Sequence, residues 1–195
     1  MKIVKWPTVA EWGTHLQRPV QEMKEIKKVV KPILKKVARK GDKALREFAF
    51  QFDRAQLDDL RVTNKEFLEA DAQVPLDLKQ AITTAKANIE AFHQAQAQQE
   101  LTVETMPGVV CRRRSVAIEK VGLYVPGGTA PLFSTVLMLG IPAKIAGCRE
   151  IVLCTPTNER GEINPVILFT ARLIGIDTVI KVGGAQAIAA MAYEI

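Results

Sequence analysis

The spacing of hydrophobic positions changes part-way along the chain. In the first part they recur at helical intervals. Ile26, Val29, Val30, Ile33, Leu34 and Val37 fall on one stripe, which predicts a helix within residues 18–40 whose apolar side faces inward. Lys27, Lys28, Lys31, Lys35 and Lys36 lie mostly off that stripe, and Pro32 marks a kink or a boundary. Gly41 is a stop signal, after which Asp42 is expected to cap a second helix running through Phe50. Thr63 or Asn64 caps a short helix, and a long helix starts near Pro75. Three short strands are expected over 101–105, 109–117 and 119–125, with Pro107–Gly108 turning between the first two.

Beyond Lys120 the pattern repeats as strand then helix, three times. "KVGLYV" leads through "PGGTAP" to an apolar helix ending at Gly147. "EIVLCTP" leads through "TNERGEIN" to "PVILFTARLIGI". "DTVIKV" leads to "GGAQAIAAMAYEI". The strands are almost wholly apolar, as strands buried on both faces of a parallel sheet must be. The fold class is therefore α/β, a parallel sheet flanked by helices and preceded by a helical N-terminal region. The last helical pattern meets no stop signal before Ile195, so the expectation is a piece of a longer protein.

Charge follows the same division. Residues 1–120 carry 22 of the 27 Lys and Arg and 16 of the 21 Asp and Glu, and the rest of the chain carries five of each sign. That step suggests a boundary near Lys120, with residues 1–120 as a helical region bearing short strands and 121–195 as the start of a nucleotide-binding domain. Overall the composition, 48% hydrophobic and 25% charged, is that of a globular protein with a real core. Val121 to Ala143 holds no charge, but its four glycines and three prolines argue against one lipid-exposed helix. No membrane span is expected. The first residues lack the apolar run of a secretory signal. Cys111, Cys148 and Cys154 form no CxxC pair and read as free thiols of a reducing, cytoplasmic compartment.

Two strand ends share a Gly-Gly pair just before a helix: "YVPGGTAP" and "KVGGAQAI". Glycine removes the Cβ that would block a ligand, and a helix N-terminus offers free N–H groups to a phosphate. Ligands of open α/β sheets settle beyond the carboxyl ends of the strands, where both turns would lie. Thr129 is expected to cap the helix after the first turn, with Pro131 in its first turn. The two turns read equally as tight connections without a ligand. Tyr124 reads as a strand tyrosine with a surface hydroxyl or as a ring against a nucleotide. Gln186 reads as a local backbone partner or as a cofactor contact. Both bends are expected side by side on one rim, with room for a dinucleotide between them.

Other chemistry is missing from the sequence. There is no GxGxxG, GxxxxGK[ST], HExxH or GxSxG. His15 and His93 sit away from other ligand types and read as surface histidines. Arg112, Arg113 and Arg114 read as solvated charge on an edge strand. The lysines of the first long helix are mixed with Glu22 and Glu25 and lack interleaved aromatics, which disfavours nucleic acid.

"VGLYVPGGTAPLFSTVLMLGIPAKIAGC", "IVLCTP" and "VGGAQAIAA", with the earlier "GDKALREFAFQFD", closely resemble histidinol dehydrogenase. The resemblance covers most of the chain and implies an incomplete Rossmann-like sheet. It implies a zinc-requiring, NAD-linked enzyme of histidine biosynthesis that converts L-histidinol, two NAD and water to L-histidine and two NADH. It further implies a homodimer with intertwined subunits. The family's NAD contacts map onto Tyr124 and Gln186. Its catalytic pair, zinc ligands and substrate contacts would fall beyond Ile195, so the resemblance assigns no catalytic or metal residue to this segment, which alone is expected to be inactive. The competing reading is a diverged, non-catalytic nucleotide-binding or assembly module of the same fold.

Overall fold

The computed structural model describes residues 3–17, 23–128 and 130–193. The chain divides into two compact units, residues 1–32 and 33–195. In the first, helix α1 (Val9–His15) is fixed at its start by Glu11, whose carboxylate accepts from the Thr8 N–H and hydroxyl, both at 2.8 Å. None of its residues is buried.

Helix α2 spans Met23–Lys40 with Pro32 inside it. Its apolar stripe is only partly covered, contrary to expectation. Ile26 and Val29 are exposed, whereas Val37 is fully buried. Among the described residues, packing begins at Ile33 and Leu34, which reach the core that Val37 joins. Helix α3 (Asp42–Phe48) starts one residue earlier than its polar signal suggested. Gly41, at φ +52°, is the cap and Asp42 is already helical. The helix ends at Phe48 and continues as a π-helical turn over Ala49–Asp53, which Arg54 closes in the left-handed region.

Helix α4 (Asn64–Gln73) is capped by Thr63, which accepts from the Glu66 N–H while Glu66 accepts from the Thr63 N–H at 2.7 Å. Helix α5 (Leu76–Ala95) follows Pro75. Strands β1 (Leu101–Met106) and β2 (Val109–Arg113) form an antiparallel hairpin whose residues are all exposed. The second strand is shorter than predicted, and Arg112, Arg113 and Arg114 are exposed on it or just past it.

The parallel sheet consists of β3 (Lys120–Tyr124), β4 (Glu150–Thr155) and β5 (Thr178–Lys181), in that order. Helix α6 (Phe133–Ala146) joins β3 to β4 and ends at Gly147 in the left-handed region. Helix α7 (Pro165–Leu173) joins β4 to β5, and Asn164 caps it by accepting from the Val166 N–H at 3.0 Å. Helix α8 (Gly184–Tyr193) follows β5. The charge step at Lys120 falls inside the second unit, at the first residue of β3. Pro131 lies before α6 rather than in its first turn, because Leu132 is the cap. Thr129 lies outside the described residues.

Strand alternation sorts the core into two layers. Leu123, Ile151, Leu153 and Val179 face helices α4 to α7, with Ile82, Leu137, Ile141 and Leu168. Tyr124, Val152, Cys154 and Ile180 face α3 and α8, with Leu45, Phe48 and Ala187. Each fully buried aliphatic side chain stabilises this arrangement by roughly 1.5–3 kcal/mol. The outer edge of β5 is covered by residues 60–62. Val62 N–H donates to the Val179 carbonyl and Lys181 N–H to the Leu60 carbonyl. No described helix is long and apolar enough to cross a membrane.

Candidate functional site

The parallel register aligns the last residues of the strands. Tyr124 lies opposite Cys154, and Thr155 opposite Lys181. Both glycine bends therefore leave the sheet at its carboxyl end, on one rim, as expected. Pro156 lies between them. A Cβ on Gly127 would come within 2.6 Å of the Pro156 ring, and a Cβ on Gly183 equally close. The space between the bends is thus floored by a proline ring that only glycine can approach so closely. Gly128 differs: nothing stands within 4 Å of its Cβ position, so that backbone is open to a ligand.

The structure brings Tyr124 and Gln186 together at the second bend. The Tyr124 hydroxyl accepts from the Gly184 N–H at 3.0 Å. Gly184 is at φ +60°, and a Cβ there would stand 2.6 Å from Gln186 Oε1. Gln186 is 3% exposed, one of the few buried polar side chains of the core. Tyr124, half-buried, keeps its hydroxyl proton for a further acceptor.

A cavity of about 390 Å³ opens beside the first bend, on the face that carries α4, α6 and α7. Pro126 to Gly128 form one wall, Thr155 to Asn158 another, and the starts of α6 and α7 close it. Sequence reasoning missed this cavity, because "TNERGEIN" carries only the signs of a loop. The loop is ordered by Asn158, whose side-chain oxygen accepts from the N–H groups of Arg160 and Glu162, both at 2.9 Å. Thr157 Oγ1, on the cavity wall, is the one buried side-chain oxygen among the described residues left without a partner. The α6 N-terminus has no side-chain cap among the described residues. An open glycine, an uncapped helix start and an orphaned hydroxyl on one rim fit a polar, partly anionic ligand such as a dinucleotide.

The remaining reactive groups lie elsewhere. Burial pushes the Cys154 thiol up to about 12, so it is a protonated, inert core thiol. His15 is exposed, while His93 is half-buried and stands edge-on to Phe92 at 5.7 Å. No three His, Cys, Asp or Glu side chains among the described residues are gathered closely enough to hold a metal ion. These residues do not fit the zinc that the resemblance implies, and no step of the chemistry is assigned to zinc on them.

The sequence model of the family described as histidinol dehydrogenase matches residues 16–195. The chain is 54% identical over 193 residues to the histidinol dehydrogenase of Bacteroides fragilis, covering 99% of this chain and 45% of that protein. It is 50% identical over 179 residues to that of Campylobacter jejuni, covering 91% of this chain and 41% of that one. The crystal structure of histidinol dehydrogenase from Elizabethkingia anophelis superposes with a TM-score of 0.91 at 49% identity, covering 96% of this chain and 43% of that chain. The chain spans less than half the length of these relatives. Aligned along nearly its whole length with them in sequence and in backbone, the chain belongs to the histidinol dehydrogenase family.

Proposed function

We propose that this chain supplies one side of the NAD site of a histidinol dehydrogenase, an oxidoreductase of histidine biosynthesis. The whole protein oxidises L-histidinol to L-histidine with two NAD and one water. NAD supplies the hydride acceptor. The segment's own residues bind and orient it, while the proton-transfer, substrate and zinc groups lie on parts of the protein that this chain does not include. The whole protein acts as a cytoplasmic homodimer.

The observation that carries this reading is the bond from the Gly184 N–H to the Tyr124 hydroxyl. It ties the ends of β3 and β5 together and fixes the Tyr124 ring and the Gln186 amide at the same bend. A dinucleotide laid across the strand ends meets the ring, the open backbone at Gly128 and the amide in succession. Titration calorimetry of the chain with NAD tests it. Tyr124→Phe and Gln186→Ala are each expected to weaken binding by about threefold to tenfold. Unchanged affinity in both variants contradicts the site.

A further inference from the structure

We infer that the cavity beside Gly127–Gly128 seats the adenosine ribose of the dinucleotide, and that Glu162 selects a free 2′-hydroxyl against a 2′-phosphate. The inference rests on the NAD reading above and names a specificity residue within it. The cavity lies at the exit of β4, the middle strand, so a ligand reaching from Tyr124 to Gln186 passes beside it. Its described lining carries Glu66, Glu69 and Glu162 and no Lys, Arg or His. A 2′-phosphate placed there would meet carboxylates without a countercharge, whereas ribose hydroxyls would find acceptors.

The three carboxylates are not equivalent. Glu66 is committed to Lys181 and Thr63. Glu69 faces Lys65 at 3.6 Å. Glu162 makes no ion pair among the described residues, and only its Oε2 is engaged, by the Asn158 side-chain amide at 3.0 Å. Asn158 thereby holds the carboxylate in place and leaves Oε1 to accept from a hydroxyl. The partnerless Thr157 Oγ1 on the same wall is a second group for the ribose to satisfy. An acidic side chain after the second strand of a Rossmann unit performs this selection in other dinucleotide-binding proteins.

The test is calorimetry of the chain with NAD and with NADP, repeated on Glu162→Gln and Asn158→Ala. The unaltered chain is expected to favour NAD, and Glu162→Gln to reduce that preference about tenfold, mainly by tightening NADP. Asn158→Ala, which frees the carboxylate without removing its charge, is expected to weaken NAD while NADP stays disfavoured. An unchanged NAD-to-NADP ratio in Glu162→Gln overturns this inference alone, provided that NAD binding still depends on Tyr124 and Gln186. Loss of that dependence, or no binding of either nucleotide, overturns the NAD reading and this inference with it.

Discussion

The Tyr124 hydroxyl accepts a hydrogen bond of 3.0 Å from the Gly184 N–H, joining the end of β3 to the start of α8 across the width of the sheet. Tyr124→Phe removes one acceptor and leaves that N–H unpaired. The fold is expected to lose about 1 kcal/mol. Chemical denaturation measures the loss, and amide exchange at Gly184 should quicken in step.

The glycines of the rim separate folding from binding. Gly183→Ala drives a methyl into the Pro156 ring, which cannot rotate away, and is expected to cost about 1–3 kcal/mol in denaturation midpoints. Gly128→Ala meets open space. It should leave stability within about 0.5 kcal/mol of the parent while weakening NAD, since the new methyl occupies the ligand's approach.

Lys181 and Glu66 make a largely buried pair at 2.5 Å between β5 and α4. Burial by itself raises the Glu66 carboxyl, but hydrogen bonds from Lys181 and Thr63, with the Lys181 charge, outweigh it and hold it below the ordinary 4.5. A lowered folded value means that this stability is present above 4.5 and is lost as pH falls through the folded value. Glu66→Gln is expected to cost about 2 kcal/mol at neutral pH and to flatten the stability profile below pH 4.5, as read by urea titrations across that range.

Cysteine reactivity should rank by burial. Cys111 is exposed on β2, whereas Cys154 is buried with its thiol pushed up to about 12. Mass spectrometry after brief alkylation of the folded chain is expected to find label on Cys111 and none on Cys154. Early labelling of Cys154 would place β4 outside the core.

The three strand–helix units were legible because their signals are local. Apolar runs, the caps Thr63 and Asn164 and the stop at Gly147 each act within a few residues. Both glycine bends could be placed on one rim because parallel strands leave no other arrangement. The partners that shape the rim were hidden. Pro156 between the bends, Lys181 against Glu66 and residues 60–62 along β5 are joined only by tertiary packing. The stripe of α2 misled in the opposite direction: periodicity marks Ile26 and Val29 as apolar, but burial needs a covering surface, and the described residues supply one only from Ile33 onward.

The central claim, that the carboxyl rim of this sheet binds NAD, is tested most directly by amide NMR during an NAD titration. Shifts are expected to cluster at Tyr124, Gly127, Gly128, Thr157, Asn158, Gly184 and Gln186. Shifts confined to the opposite ends of the strands, near Lys120, Glu150 and Thr178, or no shifts at saturating NAD, would contradict it.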